Sequence, residues 1–135
     1  MALLIDTSVL VGLERRRGTG SPLAGLAVDE PVFLCAVIAG ELLVGVELAE
    51  SPSRRAARAS LVEGLLDPLP ILPFDLAAAR RHAIVASTLR RQGQTIGAHD
   101  LIIAATALSN GLGVLTDNPG HFGRVQGLTV VRPAW

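Results

Sequence analysis

Short, largely apolar runs recur along this chain, with segments at helical spacing between them. Ala2 to Ile5, Val32 to Cys35, Ile71 to Phe74, Gly113 to Thr116 and Leu128 to Val131 are the five runs. A run that is apolar at successive positions, rather than at alternate ones, suits a strand covered on both faces. Between the runs lie helix signals. Asp6-Thr7-Ser8 looks like a helix start, and Ala36 to Ala49 has helical periodicity. Ser51-Pro52 opens a helix to about Leu66, which Asp67-Pro68 and Pro70 end. Pro73 weakens the third run as a strand, and Asp75 caps a long helix to about Gln92, stopped by Gly93. The segment "AHDLIIAATALSNG" from Ala98 is nearly all apolar, so it predicts a central buried helix closed by Asn110-Gly111. Strands alternating with helices give an α/β class: a mostly parallel sheet of about five short strands, helices on both faces, right-handed crossovers. Ligands of such sheets sit beyond the carboxyl ends of strands, where the strand order switches.

Composition narrows the function. The 135 residues fit one domain, 1–135, and half of them are apolar against 18% charged, enough for a core. No apolar stretch is long enough to span a bilayer. "MALLIDTSVL" lacks a basic leader and reaches Asp6 early, so a cytoplasmic location is expected. The single cysteine, Cys35, excludes an internal disulfide and a multi-cysteine zinc site. The net charge is zero, so any nucleic-acid contact must be local. All twelve bases are Arg, which removes Walker-type loops, Schiff-base enzymes and haloacid-type phosphatases. With Phe33, Phe74, Phe122 and Trp135 as the aromatics and no Tyr, a base-stacking platform is not expected.

Four acids adjoin apolar segments. Asp6 follows the first strand, Glu41 lies inside "VIAGELLVG", Asp100 begins "LIIAATAL" and Asp117 follows "GVLT". Each has a structural explanation: helix caps for Asp6 and Asp100, a turn at Asp117-Asn118-Pro119, a salt bridge from Glu41 to an Arg. As a group they ask for a cation, because carboxylates beside apolar chain must be protonated, paired or metal-bound. Oxygen ligands without paired His or Cys select magnesium or manganese over zinc.

The segments "LLIDTSVLVGL", "GELLVGV", "IGAHDLIIAATAL" and "VLTDNPGHF" resemble, in order and spacing over essentially the whole chain, the motifs of PIN-domain ribonucleases, most closely the VapC toxins. The resemblance implies a PIN-like three-layer sandwich and a magnesium-dependent endoribonuclease toxin, with manganese as a substitute. It also implies a cognate VapB-type antitoxin, a homodimer, and DNA contact only through the antitoxin complex. It places Asp6, Glu41 and Asp100 in the acidic site. The fourth position falls to Asp117 or to Asn118, since the family's acid or amide stands two residues after the threonine and this chain has Asp117 one residue after Thr116. Asp6 and Asp100 are expected metal ligands, and Glu41 a ligand or the group that orients the attacking water.

Neighbouring residues have two readings each. Thr7 and Thr116 contact the scissile phosphate or a water, or else form a helix cap and a strand end. Ser8 reads as a helix residue, His99 as a helix-entry residue, His82 as mid-helix and His121 as part of a turn; none are at ligand spacing. Arg15, Arg16 and Arg17, placed on the same sheet edge as Asp6, are RNA-phosphate contacts or a solvated loop running to Pro22. Cys35 reads as a small core residue. The alternative function is a catalytically silent α/β interaction module whose acids bind a structural cation or an Arg-rich partner. A phosphoaspartyl phosphatase would need a second Asp two residues after Asp6 and a Lys, and has neither.

Overall fold

The computed structural model describes residues 1–16, 23, 25, 26 and 28–135. In chain order the elements are β1 (Leu3–Ile5), α1 (Thr7–Arg15), β2 (Val32–Cys35), α2 (Ala36–Glu47), α3 (Pro52–Leu66), β3 (Ile71–Leu72), α4 (Leu76–Arg91), α5 (Ala98–Ser109), β4 (Gly113–Leu115), α6 (Pro119–Phe122) and β5 (Val130–Val131). The strands form one sheet in the order β3-β2-β1-β4-β5, every adjacent pair parallel.

Leu3, Leu4 and Ile5 of β1 are 2%, 0% and 0% exposed. Successive strand residues point to opposite faces, so burial of all three means helices cover the sheet on both sides. Each such side chain contributes about 1.5–3 kcal/mol of burial. Helix α5 packs against β1, β4, α2 and α4, and its residues Ile103 to Ala107 are all buried, as the apolar run predicts. A Cβ at Gly113 would stand 3.0 Å from Leu3 and 3.1 Å from the Thr129 carbonyl, so glycine lets β4 seat between β1 and β5.

The helix caps match the sequence where they are local. Ser51 accepts the Arg54 amide at 3.2 Å and Asp75 accepts the Ala78 amide at 2.9 Å. Strand β3 stops at Leu72, short of Phe74, because Pro73 has no N–H for the ladder. Among the described residues no helix is long and apolar enough to cross a membrane.

The sheet order fixes where a site can form. Leu4 pairs with Phe33 on one side and Val114 on the other, and Ile5 pairs with Leu115, so β1 and β4 end side by side. Beyond those ends come Asp6 and Thr116. The chain moves from β1 outward to β2 and β3, then returns across β1 to β4, which makes the end of β1 a switch point.

One expected placement is corrected here. Helix α1 starts at the carboxyl edge and runs back for 9 residues, which carries Arg15 about 13 Å from Asp6 toward the opposite edge. Arg15 and Arg16 therefore do not share an edge with Asp6. The Arg16 guanidinium stacks 4.3 Å from the Trp135 ring centroid and donates to the Gly12 carbonyl at 3.2 Å. Arg17, with most of its loop, lies outside the described residues.

Candidate active site

Asp6 occupies the N-cap position of α1, yet its side chain makes no cap hydrogen bond. Its Oδ2 instead accepts the Ser8 hydroxyl at 2.8 Å and the Thr116 hydroxyl at 2.9 Å. Forgoing a cap costs a helix about 1 kcal/mol, and the two hydroxyl bonds offset it. Asp6 is 7% exposed and Thr116 is fully buried. Thr116 thus sits behind Asp6 with its proton committed to the carboxylate. Its oxygen accepts the Asn118 amide at 3.0 Å, while the Ser8 oxygen accepts the Asp117 amide at 3.0 Å.

Thr7, next along α1, donates to Glu41 Oε2 on α2 at 2.7 Å. The other Glu41 oxygen, Oε1, is hydrogen-bonded to His99 Nδ1 at the start of α5. Asp100 lies in the first turn of α5 and its Oδ2 meets His121 Nδ1 of α6 at 2.9 Å. An ionised carboxylate only accepts, so in both pairs Nδ1 carries the proton. Asp117 is exposed, with Arg132 Nη2 3.8 Å from its Oδ1, a contact too open to stabilise much.

Three hydrogen-bonded groups result: Asp6 with Ser8, Thr116 and the 117–118 turn; Glu41 with Thr7 and His99; Asp100 with His121. The peptide links Asp6-Thr7 and His99-Asp100 join them into one edge. Of the structural explanations open in the sequence, a capping role for Asp6 and an Arg salt bridge to Glu41 are both absent among the described residues. Sequence reading missed Ser8, His99 and His121 as partners of the acids. Their place inside the quoted motifs was the only signal for them, and nothing local ties His121 to Asp100, 21 residues away.

The site's field reaches β2. Burial holds the Cys35 thiol above its ordinary pKa, backbone bonds at Ile38 and Val37 oppose this, and the charges of Glu41 and Asp6 add to it. Cys35 is 1% exposed, so it is a protonated core residue rather than a nucleophile.

The donor chemistry fits a hard cation: carboxylates held by hydroxyls and histidines, without an Arg or Lys to neutralise Asp6, Glu41 or Asp100 among the described residues. As placed, no three His, Cys, Asp or Glu side chains among the described residues converge on one ion. A cation bound here would have to displace His99 and His121 from oxygens of Glu41 and Asp100.

The sequence pattern of the PIN domain matches residues 3–128. The chain is also 35% identical over 133 residues to Ribonuclease VapC1 of Rickettsia felis, covering 97% of this chain and 96% of that one. The chain belongs to the PIN-domain family, in its VapC branch. The tRNA(fMet)-specific endonuclease VapC of Shigella flexneri is 38% identical over 88 residues, 65% of this VapC-family chain and 64% of that protein. Among solved structures, VapBC-5 of Mycobacterium tuberculosis, a member of the VapBC family of toxin–antitoxin systems, superposes with a TM-score of 0.75 at 31% identity, covering 97% of this chain and 98% of that one. DNA-bound VapBC from Salmonella typhimurium gives 0.80 at 26% identity, with 98% of each chain covered. In this PIN fold Asp6 follows β1, Glu41 lies on α2 and Asp100 in the first turn of α5.

Proposed function

We propose that this VapC-family protein is a metal-dependent endoribonuclease toxin that hydrolyses RNA phosphodiester bonds. The observation that carries it is the placing of Asp6, Glu41 and Asp100 along one edge of the sheet, linked through Asp6-Thr7 and His99-Asp100, each bonded to hydroxyls or histidine and none to Arg among the described residues. The names of the VapC relatives support the reading, and nothing favours a catalytically silent module. Asp6, Glu41, Asp100 and Asp117 would hold magnesium, or manganese in its place, with Asn118 the alternative fourth group. When bound, the metal neutralises charge on the phosphoryl oxygens and makes a water easier to deprotonate.

The chain's own residues do the rest. Thr7 fixes Glu41 Oε2, so Glu41 is oriented to take a proton from the attacking water. His99 holds the Oε1 of Glu41, and His121 holds the Oδ2 of Asp100, against the edge, contacts that a bound cation would have to replace. RNA phosphates meet His99, His121 and Arg132, the basic groups nearest the acids among the described residues, rather than Arg15 or Arg16. The VapBC assemblies of its structural relatives support a VapB-type antitoxin as silencing partner, with DNA contact through that complex; a homodimeric working form and a cytoplasmic location rest on the family resemblance alone. The test is cleavage of RNA by purified protein with magnesium and with chelator: magnesium-dependent cutting that added antitoxin abolishes is expected, and metal-independent cutting or none refutes the reading.

A further inference from the structure

We propose that Ser8 is a positioning residue for the acidic site: its hydroxyl ties the Asp6 carboxylate to the turn that carries Asp117 and so fixes which Asp6 oxygen faces outward. The inference rests on the ribonuclease reading for its catalytic consequence, and on hydrogen-bond geometry for the tie itself.

Each hydroxyl has one proton, and an ionised carboxylate can only accept. The Ser8 and Thr116 hydroxyls both lie within bonding distance of Asp6 Oδ2, at 2.8 and 2.9 Å, so both protons go there. The 3.2 Å contact between Ser8 Oγ and Thr116 Oγ1 is then left without a proton of its own. Each oxygen has lone pairs remaining, and each takes one backbone N–H from the turn after β4: Asp117 on Ser8 and Asn118 on Thr116, both at 3.0 Å. The direction of every proton is settled by the carboxylate.

Two consequences follow. Asp6 Oδ2 is saturated from behind, and Oδ1, which no described residue hydrogen-bonds, is the oxygen left for a ligand. The turn bearing both candidates for the fourth acidic position is held to the first acid by hydroxyls, one contributed by α1 and the other by the end of β4. Thr116 is fully buried and its loss would disturb the core, whereas Ser8 is only partly buried and can be altered with less collateral change.

The experiment uses the full chain as wild type, Ser8→Ala, Ser8→Cys and Ser8→Thr. Cleavage of a fluorophore–quencher RNA oligonucleotide is followed with magnesium, and exchange of the Asp117 amide by NMR without it. Ser8→Ala is expected to lower kcat about tenfold or more with KM within about twofold, as for a misplaced catalytic group, and to speed Asp117 amide exchange. Ser8→Thr, which keeps the hydroxyl, restores both. Should Ser8→Ala not fold, Ser8→Cys, of similar size with a weak donor, is read by the same criteria. Unchanged kcat with unchanged exchange, or a loss that Thr does not rescue, overturns the role of Ser8 while leaving a cleaving wild type as a ribonuclease. A wild type that cleaves nothing overturns the ribonuclease reading and the catalytic role together, and the exchange rates still decide whether the tie exists.

Discussion

Asp6 and Thr116 stand 110 residues apart in the chain and are joined by a 2.9 Å hydrogen bond at the shared end of β1 and β4. The bond ties the first acidic motif to the last. Thr116→Val keeps the shape and removes the donor to Asp6 together with the acceptor of the Asn118 amide. Urea unfolding is expected to show a loss of about 1–3 kcal/mol from the groups left unpaired, and RNA cleavage should fall as well. Wild-type stability would mean that the bond contributes nothing.

Replacing a ligand acid should separate folding from chemistry. Asp6→Asn and Asp100→Asn are expected to abolish magnesium-dependent RNA cleavage while the circular dichroism spectrum stays as in wild type. Magnesium at ten times its dissociation constant should stabilise wild type by about 1.4 kcal/mol, a rise in Tm of about 3–5 °C. Asp100→Asn should lose most of that rise. Equal shifts in the two proteins would remove Asp100 from the metal site.

Gly12 is occupied from outside the helix. A Cβ there would stand 2.6 Å from Trp135 Cζ2, inside any real contact. Alanine normally favours a helix over glycine by about 1 kcal/mol, but the overlap with the indole costs about 1–3 kcal/mol, so Gly12→Ala is expected to destabilise. The chain has a single tryptophan, and a shift in its emission should report the displaced ring. An unshifted spectrum with raised Tm would show that the indole yields freely.

Cys35 gives the protein an alkaline limit. Its thiol is held above the ordinary value of 9.0 by burial first and by Glu41 and Asp6 in addition. The folded state keeps the proton longer than the unfolded chain, so this contribution is full below about pH 9 and is lost as pH rises past it toward the folded pKa. The chain has no Tyr and no Lys to titrate in that range. Wild-type Tm should therefore decline above pH 9 while Cys35→Ala stays flat, whatever their difference at neutral pH. Parallel declines would place the alkaline loss elsewhere.

Much of the fold could be read from local chemistry. The apolar runs mark β1, β2 and β4 because those strands are covered on both faces, and Ser51 and Asp75 mark helix starts because a cap is satisfied within three residues. The three interior motif acids could be read because each interrupts an apolar stretch. Their partners could not. Glu41 meets Thr7 from 34 residues away and His99 from 58, and nothing in either neighbourhood announces the other. Arg15 and Arg16 are near Asp6 in sequence but not in space, because a helix of two to three turns carries the chain across the sheet.

The strand order gives the proposed toxin a built-in safeguard. β1 has neighbours from both directions of the chain, and the pairing of β1 with β4 joins residues more than a hundred positions apart. Long-range parallel pairing of this kind forms late in folding, because loop closure must come first. Until β4 seats, Asp6 has no Thr116 behind it, and the 117–118 turn has nothing to rest on. A partly folded chain is therefore disarmed, and the ability to cut RNA arrives with the native state as a single event. Loss of cleavage and loss of the sheet should therefore follow one and the same transition.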